Sequence, residues 1–411
     1  MPYLLLLFAV NLYFAWRYAD MDIDPDFAMF NLWGQTGAAY GRDFSDCKTP
    51  MVHLWFLLLS KITKTIQQVR FVHYFLTGIP GMIYALITGD TWGGLAFIVL
   101  VHSGFLLAFH GNVGDIPVGL ILLALVVQNP WIAVTLFVFA FLYEPKLLPS
   151  FALYVALRGL WWQTVAWLAV GLVCAGLIWY YKHDWWRWLI ESNITIPSRM
   201  NKRRKGAYGW MPWFTSTGLL YVLAWVVPAV ISKPDVLFWM MPLSYLIFIA
   251  MGRVIRENHL IPLIPWIVLS GIGAEYLIGL ILLDLIAGGF YIGDIWGRFY
   301  FGIKDAIRES RAVGEWLKDK PGTLWVNGIW TETYIWAGKR PTFGITNQAE
   351  IIGVSEERLK VFGDRFHANM ATWITQREDD AGRNNRIRFN TDLYIPVKRF
   401  GLTILYKKRE E

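Results

Sequence analysis

Apolar stretches almost free of charge recur along the chain at residues 3–19, 70–88, 92–109, 113–143, 160–181, 211–231, 235–251 and 260–290. A membrane crossing takes roughly 20 apolar residues, and fewer where a helix is short or sheltered in a bundle. The pattern predicts a polytopic α-helical membrane protein with about ten or eleven helices. After about residue 295 the pattern changes. Asp305–Lys318 has the spacing of an amphipathic helix, Thr323–Asn327 reads as a strand and Gly328 as a turn. A short helix is expected over 331–338, ended by Gly338 and Pro341, and a third over 355–369, followed by strands near 371–376 and 402–407. The expected organisation is a transmembrane catalytic domain over 1–295 and a small extracytoplasmic soluble α/β domain over 296–411.

Composition sharpens this reading. Apolar residues make up 55% of the chain and charged residues 17%, so a set of soluble domains is a poor fit to the length. The 23 tryptophans suit interfacial belts, where an indole has an apolar body and a polar handle. Cys47 and Cys174 are far apart in sequence and suggest neither a disulfide framework nor a zinc site. The net charge of +7 gathers at Lys61/Lys64/Arg70, at Lys202–Lys205 and in the tail. Positive-inside topology explains the first two clusters without nucleic acid. No basic n-region precedes residues 3–19, which read as a retained first helix. The polar break Lys182–Trp210 reads as a cytoplasmic loop carrying an interfacial helix near Trp185, so the sequon at Asn193 is discounted. No P-loop, glycine-rich nucleotide fingerprint or nucleophile elbow is present.

The chemistry concentrates in the first loop. Asp20, Asp22, Asp24 and Asp26 fall within seven residues, and Asp43, Asp46 and Lys48 follow before Pro50. Capping of a short amphipathic helix beginning near Asp24-Pro-Asp26 and lying along the membrane accounts for one or two of these acids. It leaves the others in want of water, a cation or a proton. Asp115, in Gly-Asp115-Ile-Pro117, opens an apolar helix, where a carboxylate is costly unless solvated or paired. Arg253, Arg256, Glu257 and His259 lead into a proline-marked apolar segment and offer cations to an anion at the membrane edge. His102 and His110 precede Asp115, and Glu144-Pro-Lys146 reads as an internal salt bridge.

In this order the motifs resemble the GT-C superfamily of polyprenyl-phosphate-sugar-dependent glycosyltransferases, nearest to its protein-mannosyltransferase and aminoarabinose-transferase branch. The likeness rests on Asp24-Pro-Asp26, Gly41 with Asp43, Lys48-Thr-Pro50, Asp115-Ile-Pro117 and His259-Leu-Ile-Pro-Leu-Ile-Pro265. It extends to Trp325 through Glu332 and to Ala337-Gly-Lys-Arg-Pro341. Thr49 departs from the family's first proline, and Asp26 stands where many members have a Glu directly after the Asp.

The resemblance implies transfer of a sugar from a polyprenyl phosphate to an acceptor hydroxyl with inversion. Asp24 would be the general base, and Asp26 and Asp115 would orient the acceptor or the base. These three would also hold a divalent cation, Mg or Mn, if one is used. Lys48, Arg256 and His259 would neutralise the donor phosphate, with Asp43, Asp46, Glu257 and His102 as accessory candidates. The implied partners are the lipid bilayer, the lipid-linked sugar and a protein, lipid or glycan acceptor, at the extracytoplasmic side of a plasma membrane. A lipid-linked oligosaccharide ligase or polymerase is the neighbouring alternative. A transporter or flippase with an acidic ion site is the alternative from another class. Counting simple spans from a cytoplasmic N-terminus puts Asp24 outside and Asp115 inside. A shared cavity therefore requires short or half-spanning helices between residues 50 and 158.

Overall fold

The computed structural model describes residues 2–19, 25–36, 50–102, 115–181, 236–251, 262–270, 295–328, 330–342, 356–378 and 389–409, with isolated helical positions between 226 and 282. These fall into two compact units. One gathers Met1–Met21, Gln67–Tyr181 and Arg203–Gly293; the other gathers Asp22–Ile66, Lys182–Lys202 and Asp294–Glu411. The first loop thus groups with the C-terminal segment. The 182–210 loop and its interfacial helix lie outside the described residues.

The first unit is helical. It contains α1 (Pro2–Ala19), α4 (Ile66–Thr88), α5 (Thr91–Val101), α6 (Asp115–Val126), α7 (Pro130–Tyr143), α8 (Leu148–Arg158), α9 (Trp161–Tyr181), α10 (Val236–Met251) and the single turn α11 (Ile264–Val268). Among the described residues α4 is long and apolar enough to cross a membrane, and several shorter apolar helices accompany it. α5 to α8 have 11 to 14 residues each, about 16–21 Å at 1.5 Å per residue.

α1, α4 and α5 form a close trio. Leu7 of α1 clusters with Ala85 of α4 and Ile98 of α5 at one end. At the other end Tyr18 packs on Tyr74 and donates to the His102 carbonyl at 2.6 Å, while Arg70 Nη1 reaches the Ala19 carbonyl at 3.4 Å. Hence α4 runs antiparallel to α1, and α5 runs parallel to it. Glycines permit this closeness, as is usual where helices pack in an apolar medium. A Cβ on Gly81 would stand 2.7 Å from the Gly94 carbonyl oxygen, and one on Gly94 would stand 2.6 Å from that of Gly81. A larger apolar cluster joins α5 to α8, α10 and α11, with Phe97, Leu122, Phe137, Tyr154 and Ile267 at its centre. By contrast α9 is exposed or half-buried along its length, with Trp162 at 81%, Leu172 at 74% and Tyr180 at 79% exposure.

The second unit contains α2 (Pro25–Thr36), α3 (Pro50–Ile62), α12 (Ile295–Leu317), α13 (Glu332–Ala337), α14 (Glu356–Ala368) and a four-stranded sheet. The strands are β1 (Leu324–Asn327), β2 (Trp373–Arg377), β3 (Tyr394–Phe400) and β4 (Thr403–Lys408), in the order β1-β2-β4-β3. β1 and β2 are parallel, joined through α14, and β4 pairs antiparallel with both β2 and β3. Val313, Leu317, Tyr334 and Ala337 cover one sheet face together with Leu324, Val326 and Leu405. Phe362 and Phe366 of α14 cover the other, against Trp325 and Ile374. β3 is an unforeseen strand, since its sequence reads Tyr-Ile-Pro-Val-Lys-Arg-Phe with a proline inside.

α2 differs from its expectation as a surface helix. Residues Phe27 to Trp33 are all buried. Phe27 and Phe30 pack on Phe56 of α3 at ring distances of 5.0 and 5.5 Å. Leu32 on the same helix enters the core of the sheet layer. No polar face remains to lie along a membrane.

Candidate functional site

Pro25 begins α2, and its fixed φ suits a first helical turn. Asp26 therefore falls within that turn and Asp24 directly before it, where helix N–H groups favour carboxylates. Only the backbone of Asp26 is described, and Asp24, Asp43, Asp46 and Lys48 lie outside the described residues. Lys48 precedes Pro50, the first residue of α3, by two positions.

In α2, α3 and α13 the second unit buries polar side chains that the sequence pattern does not single out as site residues. Asn31 is 1% exposed, and neither atom of its carboxamide has a hydrogen-bond partner. Its companion from α3, His53, is also buried, with its ring 4.6 Å from that of Trp33. Across α2 lies α13, whose Thr331 N-cap and Glu332 are fully buried. An orphaned buried amide costs about 1–3 kcal/mol, and a buried carboxyl costs more unless paired. Such groups inside the aromatic runs Phe27–Trp33 and Val52–Phe56 were the available signal. Glu332 was noticed only as part of a family likeness.

In the first unit Asp115 is the first residue of α6, its side chain outside the description. The same helix packs by Gly119 against the ring of Pro80 in α4. Arg256, Glu257 and His259 lie outside the described residues. The segment that follows them, from Leu263 to Val268, is buried against α5 and α6. α5 ends at the end of the trio where α1 ends. The chain therefore leaves α5 toward Asp115 at the same end of this unit from which α1 leads into the acid run. Span counting had put these two exits at opposite ends.

His102 sits at that end and is fully buried. Its Nδ1 lies 2.7 Å from the Ile98 carbonyl and its Nε2 lies 2.8 Å from that of Tyr74 and 3.3 Å from the Thr77 hydroxyl. The ring stacks on Phe14 at 5.4 Å. These contacts tie α5 to α4 and α1, the work of a core histidine. Arg70, expected as a topology signal, is instead 2% exposed and directed at the C-terminus of α1. Among the described residues no group of three or more His, Cys, Asp or Glu side chains could hold a metal. The three carboxylates named for that role are not among the side chains described.

No family model and no curated relative matches the sequence. The structure matches the crystal structure of ArnT from Cupriavidus metallidurans bound to undecaprenyl phosphate. The TM-score is 0.55 over 98% of each chain, at 12% sequence identity. The likeness includes both units and is one of fold. The chain therefore shares the fold of that protein.

Proposed function

We propose that this protein is a polytopic integral membrane glycosyltransferase that takes a sugar from a polyprenyl-phosphate donor and gives it to an acceptor hydroxyl with inversion. The observation that carries the reading is the fold match over 98% of both chains, to a protein bound to undecaprenyl phosphate. The exposed apolar surface of α9 supports a lipid environment, since soluble proteins rarely expose contiguous apolar surface of this extent. The common end of α1 and α5 supports exits from these two helices on one, extracytoplasmic, side of the membrane.

In this reading Asp24 takes the acceptor proton as the hydroxyl oxygen attacks the anomeric carbon and the phosphate leaves. Asp26 and Asp115 orient the acceptor, or hold a divalent cation. Lys48, Arg256 and His259 stabilise the departing phosphate. The C-terminal part of the second unit helps select a protein, lipid or glycan acceptor.

The test is transfer from a panel of radiolabelled polyprenyl-phosphate monosaccharides by the purified protein, with native membrane extract as acceptor. Wild type should turn over one donor, and Asp24→Asn should lose at least about 100-fold, the low end for removing a general base. Turnover only of lipid-linked oligosaccharides would replace this reading with the ligase. Full activity in Asp24→Asn would remove Asp24 as the base.

A further inference from the structure

The β3–β4 hairpin carries a surface that the proposed reaction does not use. Leu393, Ile395, Val397 and Leu402 are 39%, 41%, 41% and 40% exposed. Among the described residues from 305 onward, one other large apolar side chain, Val361, is as open. The apolar exposure of this layer is thus gathered at one sheet edge. Lysines border it. Lys398 Nζ stands 5.1 Å from the Phe400 ring and 5.5 Å from that of Trp316. Lys320 Nζ stands 4.0 Å from Trp316, and Lys407 Nζ 5.9 Å from Trp373. Their ammonium groups stand over aromatic rings, and Lys398 on β3 and Lys407, opposite Ile395 in the ladder, are neighbours of the apolar strip.

Edge strands are commonly guarded by charge, proline and bulges against pairing with another strand. β3 has all three, with Pro396, Lys398 and a register shift between Pro396 and Lys398. Guarding explains these devices, and it leaves the open Ile395 and Val397 unexplained. The devices also argue against strand addition by a second copy. In a two-fold pairing of this edge, Lys398 and Arg399 would meet their own counterparts. What remains is a smooth, negatively charged surface with an apolar layer beneath it. Exposed aliphatic side chains, indoles and lysines together are the composition of segments that lie in a bilayer interface.

We infer that the β3–β4 edge docks on the anionic headgroup surface of the membrane, with Ile395 and Val397 entering the interface and Lys398 and Lys407 on lipid phosphates. This rests on the membrane reading above. It gives the C-terminal layer an attachment of its own to the bilayer.

The full-length chain with Cys47→Ser and Cys174→Ser is labelled with an environment-sensitive fluorophore at Val397→Cys or, as control, at Val361→Cys. Each is reconstituted in nanodiscs of phosphatidylcholine alone or with phosphatidylglycerol, with and without a lipid carrying a nitroxide quencher. The expected result is quenching at position 397, strengthened by phosphatidylglycerol, and little at 361. Lys398→Gln with Lys407→Gln should weaken the docked state by about fivefold per charge, as expected for cations at an anionic surface. About 0.5 M salt should weaken it too. Equal quenching at 397 and 361, or none at 397 in well-incorporated protein, would overturn the docking. A label at 397 that is shielded in detergent would assign the edge to a second copy or to another part of the chain. Failure of the chain to enter nanodiscs would overturn the membrane reading, and this inference with it.

Discussion

The α1–α4–α5 trio and the C-terminal sheet layer both bury polar groups, and they satisfy them by opposite means. In the trio, Asn11 donates to the Phe75 carbonyl at 2.9 Å, Tyr18 to that of His102, and His102 meets two more carbonyls. Side chains there, the charged Arg70 among them, serve the carbonyls of neighbouring helices, and glycines bring the backbones close. In the sheet layer the corresponding centre is ionic. Glu309 of α12 accepts from Arg377 of β2 at 3.0 Å, from the Thr403 hydroxyl at 2.7 Å and from the Leu402 N–H at 3.1 Å. A charge that must leave water needs several partners at once, and a helix crossing a twisted sheet can supply them. In the trio the partners are helix carbonyls, which accept without carrying a charge.

The largest expected effect breaks the ionic side of this contrast. Glu309→Gln removes the carboxylate that Arg377, 4% exposed at its side chain, meets at 3.0 Å. Removing one member of a buried pair costs about 3–5 kcal/mol. The near-ultraviolet circular dichroism of the tryptophans around the sheet should melt at lower temperature in the variant. An unchanged transition would mean that water reaches the pair, and that the layer does not depend on it. The trio should respond to volume. Gly81→Val puts a side chain where the Gly94 carbonyl stands and should cost about 1–3 kcal/mol through overpacking. Lower thermal stability in detergent would register it, with the sheet signals retained. A variant as stable as wild type would show that α4 and α5 separate easily, contrary to the closeness seen here.

The same contrast explains what could be read in advance. The helices at 305–318, 331–338 and 355–369 and the strands at 323–327, 371–376 and 402–407 were legible. Each combines a clear period with a turn signal, such as Gly338 in the left-handed conformation at φ 62°. β3 was not, because Pro396 and the lysines that blunt an edge also hide it. α2 was taken for a surface helix because Asp24 and Asp26 announce a solvated start. Its residues from Phe27 to Trp33 contain one polar side chain, Asn31, and read equally as wholly buried. The shared end of α1 and α5 was not legible, because an apolar run does not declare which neighbour it packs against. Of the candidate site, the sequence supplied the loop of carboxylates. It gave no hint that Asn31, His53 and Glu332 stand buried, since polar residues within apolar runs declare themselves only when their neighbours are known.

The smallest effect sharpens the neutral side of the comparison within the sheet layer itself. Tyr394 is buried and donates its hydroxyl to the Ala371 carbonyl at 2.8 Å, which joins the start of β3 to the position two residues before β2. Burial pushes its phenol up to about 12, above the ordinary value near 10. The neutral, donating form is therefore favoured by the fold. Its contribution is complete below about pH 10 and disappears as pH rises through about 12. Tyr394→Phe should cost about 1 kcal/mol near neutrality, the net value of one such bond. The difference in melting temperature between wild type and variant should shrink steadily above pH 10. A difference that stays constant across that range would mean that the hydroxyl is not the donor, and that the loss is one of packing alone.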